Sequence, residues 1–370
     1  MLLSTRKIKW IRPRKVQLLI VNRQTSLFFL EIINNYKLSL EILAIEKYIY
    51  INFAILFKSL LNLILLKDLK SSYLDFLFKQ YSPEYILSFS DFDVYKTQTF
   101  LSQNSAVVQI GLRGIIARGL ARKSIFNKYY CLGENSKKFF QENKSKIKNY
   151  EIIGSVKNNH YFHEIKPLKN IRKKYDFLLI LPYREPEDKI NTSDPAYINS
   201  VEIIKFFVKY CEKTNTKCAI LFKERNIKHF NKILKEIDPK SLLINLFPSS
   251  DYSSYINTDE ANIIISCGST LGVEAFSRGN KVLFFNFTSD PDYSFPLNSY
   301  ETMDSKKLCI KKKSDIKNKI EFLNRISNED WTNLVKNVGY REIFFDKFTN
   351  TNKVLINNIN YLLQENHKNV

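Results

Sequence analysis

Short runs of consecutive apolar residues recur along the chain, and stretches with helical spacing separate them. Runs such as FLLIL at 177–181 and NIIIS at 262–266 are continuously apolar rather than alternating. This pattern is typical of strands that are covered on both faces. Strands that alternate with helices predict parallel sheets built from βαβ units. The sequence therefore predicts an α/β protein.

The predicted strands fall into two series. The first series comprises residues 16–21, 48–52, 85–89, 106–110 and 129–132, and the second comprises residues 176–181, 217–222, 241–246, 262–266 and 281–285. Helices are predicted at 197–212, 227–236 and 350–363. Two series of this kind predict two α/β domains with a cleft between them.

The polar, basic segment 153–176, which contains Pro167, separates the two series and marks a domain boundary. We therefore expect an N-terminal domain over residues 1–153 and a C-terminal domain over 154–349. A C-terminal helix and tail, 350–370, is expected to pack back on the N-terminal domain.

The chain carries a net charge of +20, from 57 Lys and Arg against 37 Asp and Glu. Such a charge favours anionic partners: nucleic acid, anionic membrane or phosphorylated substrates. A bias of the whole composition towards Lys, Asn, Ile, Phe and Tyr is an alternative source of the charge. Because the basic residues are spread along the chain rather than clustered, no nucleic-acid partner is expected.

The longest apolar stretch, 51–68, is interrupted by Lys58 and Asn62, so it predicts a buried or interfacial helix rather than a membrane span. The five cysteines lack CxxC spacing, which favours reduced thiols. We therefore expect a cytoplasmic protein, with peripheral docking at the inner membrane as an open alternative.

Three of the nine glycines, Gly268, Gly272 and Gly279, lie within the single stretch 261–286. Gly268 permits a tight turn after a strand, and Ser269 or Thr270 can cap the helix that follows. The free N–H groups and the dipole of such a helix N-terminus bind phosphate. Gly272 lets either a ligand or a neighbouring strand come close, and Gly279 ends the helix.

Glu274 lies one turn into this helix, where its carboxylate could accept hydrogen bonds from the two hydroxyls of a ribose. The alternative is an ordinary capped turn, in which Glu274 pairs with Arg278 at i,i+4. The segment is neither a GxGxxG fingerprint nor a GxxxxGK[ST] loop.

The stretch SSYINTDEANIIISCGSTLGVEAFSRGNKVLFFN, residues 253–286, resembles the donor-binding segment of GT-B glycosyltransferases. It is most similar to that of bacterial surface-carbohydrate transferases of the capsule and lipopolysaccharide type, with their STLG-E signature. The resemblance implies two Rossmann-like domains that face each other across a cleft, with residues 1–153 as the acceptor domain and residues 154–349 as the donor-binding domain. It also implies that Ser269 and Thr270 contact the donor diphosphate, that Glu274 contacts the ribose, and that the nucleotide-sugar is a substrate used without a metal cofactor.

Basic residues follow two further strands of the second series: Arg184, and then Lys223 and Arg225. Facing a diphosphate leaving group, they would stabilise its developing charge. Solvated basic loops are the alternative.

In the first domain, Gln109, Gly111, Arg113 and Gly114 follow a strand and are expected to line the facing wall of the cleft. Related transferases often carry Gln-Asn-Gly or Gln-His-Gly here. Because Ile110 replaces the polar middle residue, acceptor binding or close domain contact is expected rather than catalysis.

Asp91 and Asp93 follow another first-domain strand, and either could be the base that takes a proton from an acceptor hydroxyl. A capping aspartate is one alternative. A DxD motif that holds a divalent cation is another, although a lone DxD is a weak signal.

Together these features predict a glycosyltransferase that moves a sugar from a nucleotide-sugar to a surface-polysaccharide or lipid-linked glycan acceptor. An anionic membrane surface is an additional expected partner. A sugar-nucleotide epimerase of the same architecture is an alternative, although the chain has only four histidines for acid and base roles. A degenerate, non-catalytic binding protein is the third interpretation.

Overall fold

The strands of this protein form two six-stranded parallel sheets and one small two-stranded sheet. The computed structural model describes residues 7–21, 39–45, 48–64, 69–89, 104–112, 121–122, 124–166, 171–182, 191–222, 227–250, 252–295 and 301–368. The α/β architecture predicted from the apolar runs is confirmed.

The first sheet has the strand order β3-β2-β5-β6-β7-β8, and β1 pairs with β4 beside it. The strands are β1 Lys7–Trp10, β2 Leu18–Val21, β3 Leu40–Leu43, β4 Tyr48–Ile51, β5 Tyr85–Ser88, β6 Asn104–Val108, β7 Ile125–Cys131 and β8 Lys146–Ile152. The helices of this half are α1 Phe53–Ile64, α2 Leu69–Lys79, α3 Glu134–Glu142 and the connecting α4 Val156–His160. All four residues of β2 are buried, as its uninterrupted apolar sequence requires.

The second sheet has the order β11-β10-β9-β12-β13-β14. Its strands are β9 Tyr175–Ile180, β10 Cys218–Leu221, β11 Leu243–Leu246, β12 Ala261–Ser266, β13 Lys281–Phe285 and β14 Cys309–Ile310. Its helices are α5 Pro195–Thr214, α6 Lys228–Ile237, α7 Ser253–Asp259, α8 Thr270–Ser277, α9 Met303–Leu308, α10 Ile316–Arg325, α11 Asn328–Leu334 and the short α12 Tyr340–Glu342. The chain therefore runs outward from β9 in one direction and from β12 in the other.

The chain crosses between the two sheets twice. The first crossing continues α4 into a π-helical turn, Tyr161–Ile165, so the polar segment predicted as a boundary is in part helical. The second crossing precedes α13 Thr351–Lys368, whose Leu355, Ile356 and Ile359 are buried in one cluster with Leu18 of β2. Thr351 Oγ1 donates to the carbonyl of Ile153 at 2.6 Å, which ties the two crossings together.

Helix α1 occupies the long apolar stretch that predicted a buried or interfacial helix. Across the described ranges, no helix combines the length and the apolar character that crossing a membrane requires.

Candidate functional site

A cavity of about 550 Å³ lies at the carboxyl edge of the second sheet. Its lining comes from the ends of β9 and β10, the residues after β11, the turn between β12 and α8, the start of α5 and a tyrosine beyond β13. The lining residues are Ile180, Leu181, Pro182, Asp194, Ala196, Leu221, Phe222, Pro248, Ser254, Gly268, Ser269, Thr270, Leu271 and Tyr293. This edge includes the point where the strand order reverses between β9 and β12, which is where open α/β sheets bind ligands.

The turn between β12 and α8 brings together three of the predicted donor residues, Gly268, Ser269 and Thr270. Gly268 has φ +54°, and a Cβ there would meet Cδ1 of Tyr293 at 2.7 Å, so both conformation and contact require glycine. Ser269 is the N-cap of α8 in extended geometry, and its side chain makes no capping hydrogen bond within the described structure. The first turn of α8 therefore presents N–H groups and a positive dipole end to the cavity.

The first domain meets this turn through the loop that follows β6. The Leu112 N–H donates to Thr270 Oγ1 at 3.3 Å, and the Leu112 side chain packs against the core of the second domain. The loop predicted as the facing wall therefore contacts the turn Gly268–Thr270, which the sequence predicts to bind phosphate and which we call the phosphate turn. Arg113 and Gly114, the other two residues predicted for this wall, lie outside the described residues.

Gln109 shapes that loop from within the first domain, where it is buried. Its Nε2 donates to the Gly111 carbonyl at 3.0 Å and to Ser136 Oγ at 3.2 Å, while its Oε1 accepts from the Leu132 N–H at 3.1 Å. These bonds fix the half-exposed Gly111 in place. A direct contact of Gln109 or Gly111 with an acceptor stays a prediction.

Gly272 lies behind the phosphate turn and does not line the cavity. A Cβ at Gly272 would meet Ser266 Oγ of β12 at 2.1 Å, so this glycine permits close approach of the helix to its own strand. The sequence allowed Gly272 to make room either for a ligand or for a neighbouring strand, and the structure shows the strand. Contact between Gly272 and a donor stays a prediction.

Glu274 is fully buried between the second domain and the first crossing. Its carboxylate accepts hydrogen bonds from Ser155 Oγ at the start of α4 and, at 2.8 Å, from the Tyr255 hydroxyl of α7. Burial raises the pKa of Glu274. The carboxylate thus connects the helix of the phosphate turn to the crossing, and its contact with a ribose stays a prediction.

Arg278 pairs with Asp259 at 3.1 Å rather than with Glu274, and its side chain is only 1% exposed. It also donates to Thr258 Oγ1 at 2.7 Å and lies 5.2 Å from the ring centroids of Tyr161 and Tyr255. Burial alone would raise the pKa of Asp259, but Arg278 and Lys166 together hold it below its usual value. This buried network, which the sequence did not predict, joins α8 to α7 and to the first crossing.

Two titratable side chains in the cavity were also not predicted. Asp194 caps α5, with Oδ1 accepting from the Ala196 N–H at 2.7 Å, and the Asp194-Pro195 pair is a helix-start signal that the sequence does carry. Burial, and then the charge of Asp194, raise the pKa of Tyr293 to about 12. Tyr293 is therefore a neutral hydroxyl at pH 7.

The remaining predicted site residues, Asp91, Asp93, Arg184, Lys223 and Arg225, lie outside the described residues. Pro182 and Phe222, the last described residues before the predicted basic ones, both line the cavity. In the part of the chain that the structure describes, no group of three or more His, Cys, Asp or Glu side chains is arranged to hold a metal ion.

Residues 123–363 match the model of a family described as O-antigen biosynthesis protein. The chain belongs to this family. The resemblance to bacterial surface-carbohydrate biosynthesis proteins that rests on residues 253–286 is thereby confirmed. No curated protein matches the chain in sequence.

Solved structures with the same overall fold cover nearly the whole chain. UDP-GlcNAc 2-epimerase from Neisseria meningitidis, bound to UDP-GlcNAc, is 12% identical, with 93% of this chain and 98% of that chain covered and a TM-score of 0.56. The Methanocaldococcus jannaschii epimerase in complex with UDP-GlcNAc and UDP is also 12% identical, with 94% and 99% covered and a TM-score of 0.56. The wall teichoic acid polymerase TagF, soaked with CDPG, is 8% identical, with 95% and 89% covered and a TM-score of 0.53. This protein therefore has the GT-B fold, in which two Rossmann-like domains face each other across a cleft.

Proposed function

We propose that this protein is a glycosyltransferase of surface-polysaccharide assembly that binds a nucleotide-sugar in the cavity and passes its sugar to a glycan or lipid-linked acceptor. The observation that carries the proposal is the Gly268–Ser269–Thr270 turn, which opens α8 towards a cavity at the switch point of the second sheet. A diphosphate placed there would accept hydrogen bonds from the first N–H groups of α8.

The leaving nucleotide would be stabilised by the helix dipole and by Arg184, Lys223 and Arg225, with no metal ion. The acceptor would approach from the first domain, because the Leu112 loop already touches the phosphate turn. Asp91 or Asp93 would take the proton from the acceptor hydroxyl. Closure of the two domains would exclude water from the transfer.

A sugar-nucleotide epimerase is the second candidate, because the similar structures of known function include two UDP-GlcNAc 2-epimerases. Inversion at a ring carbon needs a base within reach of that carbon. The titratable groups in the described lining of the cavity are Asp194, which caps α5, and Tyr293, whose pKa is about 12. Neither suits the role of a base, so an epimerase would need a base from outside the described lining, as the transferase does with Asp91 or Asp93.

Proton NMR in D2O separates the two functions. Each of the UDP-, GDP-, CDP- and CMP-linked sugars is incubated with the protein, first alone and then with lipid-linked or polysaccharide acceptors. A transferase leaves the ring protons in place and releases the nucleotide only when an acceptor is present, with or without EDTA. An epimerase inverts a ring carbon without an acceptor and exchanges its proton for deuterium, and this result would overturn the proposal.

Variants locate the base. Asp91→Asn and Asp93→Asn are compared with Asp304→Asn, which removes a surface carboxylate that pairs with Lys307 in the second domain. One of the first two variants should lose most transfer while it still binds the donor, and the Asp304 variant should keep both properties. Full transfer by both first-domain variants would remove these aspartates from the mechanism.

A further inference from the structure

A stripe of large apolar side chains on α1 faces solvent. Phe53, Leu56, Phe57, Leu60 and Leu61 are between 46% and 80% exposed. Their spacing of i, i+3, i+4, i+7 and i+8 places them on one face of the helix. In a surface helix this apolar face normally packs on the core, but here it points outward.

Strand β1 extends the same apolar surface. The Trp10 ring packs edge-on against Phe53 with the centroids 4.9 Å apart, and Trp10 is 50% exposed. Ile8, two residues earlier and so on the same side of the strand, is 69% exposed. We call these seven side chains the apolar face: Ile8, Trp10, Phe53, Leu56, Phe57, Leu60 and Leu61.

The two stretches that build the apolar face carry only positive charge. Residues 7–21 and 48–64 contain no Asp or Glu. Their cationic side chains are those of Lys7, Lys9, Arg12, Arg14, Lys15 and Lys58. Lys58 lies in α1 itself, where its ammonium sits 4.7 Å from the ring of Phe76.

We propose that the apolar face docks the protein on an anionic membrane surface. An amphipathic helix with aromatic and leucine side chains beside lysine and arginine binds at the boundary between headgroups and acyl chains. At 12 residues α1 is too short to span a bilayer, so it would lie in the plane of the surface. The cationic residues other than Arg14, which already pairs with Glu41, would select acidic lipid, since a lysine or arginine near an anionic leaflet contributes up to about fivefold to binding. This inference does not depend on the proposed glycosyl transfer, because docking requires neither donor nor acceptor.

Sedimentation with vesicles tests the apolar part of the surface. Phosphatidylcholine vesicles, with and without phosphatidylglycerol, are compared for wild type and for the double variant Phe57→Ser, Leu60→Ser. The matched control is Phe348→Ser, which removes a phenylalanine that is 85% exposed in the second half of the chain. The double variant should weaken binding to anionic vesicles by about tenfold or more, and the control should bind like wild type.

A charge series tests the selection of acidic lipid. Lys7→Gln, Lys9→Gln and Lys58→Gln together should lower binding by about tenfold, less than fivefold per charge. Lys7 and Lys9 lie on the side of β1 opposite Ile8 and Trp10, and Lys58 contacts the ring of Phe76. The control set Lys312→Gln, Lys317→Gln and Lys336→Gln removes three exposed lysines from the second domain and should leave most of the binding intact. Equal binding to neutral and anionic vesicles would overturn the role of charge.

Tryptophan quenching locates the surface on the vesicle. The chain has two tryptophans, and Trp331 is 6% exposed in the core of the second domain. Brominated lipid should quench wild-type fluorescence through Trp10, and the variant Trp10→Phe should lose that quenching.

The inference is overturned if wild type does not bind anionic vesicles, or if the double variant binds like wild type. It is equally overturned if light scattering shows a dimer that the double variant converts to monomers without any vesicle binding, because a second copy would then be the occupant.

Discussion

Replacing Glu342 with glutamine should stabilise the protein most above pH 7 and much less at pH 5. Glu342 is fully buried at the second crossing, where its Oε1 accepts from Asn135 Nδ2 of α3 at 2.5 Å. The other amide atom, Asn135 Oδ1, is buried with no partner among the described residues. A protonated carboxyl, or the amide of a glutamine, could donate a hydrogen bond to that oxygen.

The magnitude follows from the pKa of Glu342, which burial raises from 4.5 to about 7. Each unit corresponds to 1.36 kcal/mol, so the shift is worth about 3 kcal/mol. Because the folded state holds this proton more tightly than the unfolded state, stability falls as the pH rises from about 4.5 to about 7 and is constant above that. The glutamine variant cannot ionise and escapes this loss.

Thermal unfolding, followed by circular dichroism at pH 5, 6, 7 and 8, measures the effect. Wild type is compared with Glu342→Gln and with Glu321→Gln, whose carboxylate is exposed beside Arg325. The advantage of Glu342→Gln over wild type should grow with pH, while the Glu321 variant should follow wild type. A difference that does not change with pH, or a Glu342→Gln protein that is less stable at pH 8, would refute the assignment of a raised pKa to this carboxyl.

Two further substitutions test the packing around α8. Arg278→Met leaves the buried Asp259 carboxylate with Lys166 as its remaining cation and should lower the free energy of unfolding by about 3 kcal/mol, the lower end of the range for a broken buried pair. Arg325→Met, which removes an exposed guanidinium, should cost less than about 1 kcal/mol in the same urea titration. Gly272→Ala places a Cβ against Ser266 and should lower the melting temperature. Adding Ser266→Gly to this variant removes the Ser266 Oγ and Cβ atoms that the new Cβ would meet, and should restore much of the lost melting temperature. If the melting temperature does not recover at all, the contact does not set the position of α8.

The sequence predicts the second sheet well because its central strands are continuously apolar. Strand β8, Lys146–Ile152, is not predicted, because this strand at the edge of the first sheet is rich in Lys, Asn and Glu and has neither a continuous apolar run nor a regular alternation. The segment around Asn158 and Asn159 looked like a polar boundary, yet both side chains are buried through hydrogen bonds that a local pattern does not reveal. Neither could the sequence show that Glu274 faces Ser155, since the two are 119 residues apart.

Calorimetric titration of nucleotide-sugars into two glycine variants tests the central claim, that the turn before α8 holds the donor diphosphate. Gly268 and Gly279 both have positive φ and lie at opposite ends of α8. A Cβ at Gly268 would strike Tyr293 in the cavity, whereas one at Gly279 would meet no described atom within 4 Å. The proposal predicts that one class of nucleotide-sugar binds wild type and Gly279→Ala alike and binds Gly268→Ala at least about tenfold more weakly. Undiminished binding to Gly268→Ala, or no binding of any nucleotide-sugar to wild type, would contradict it.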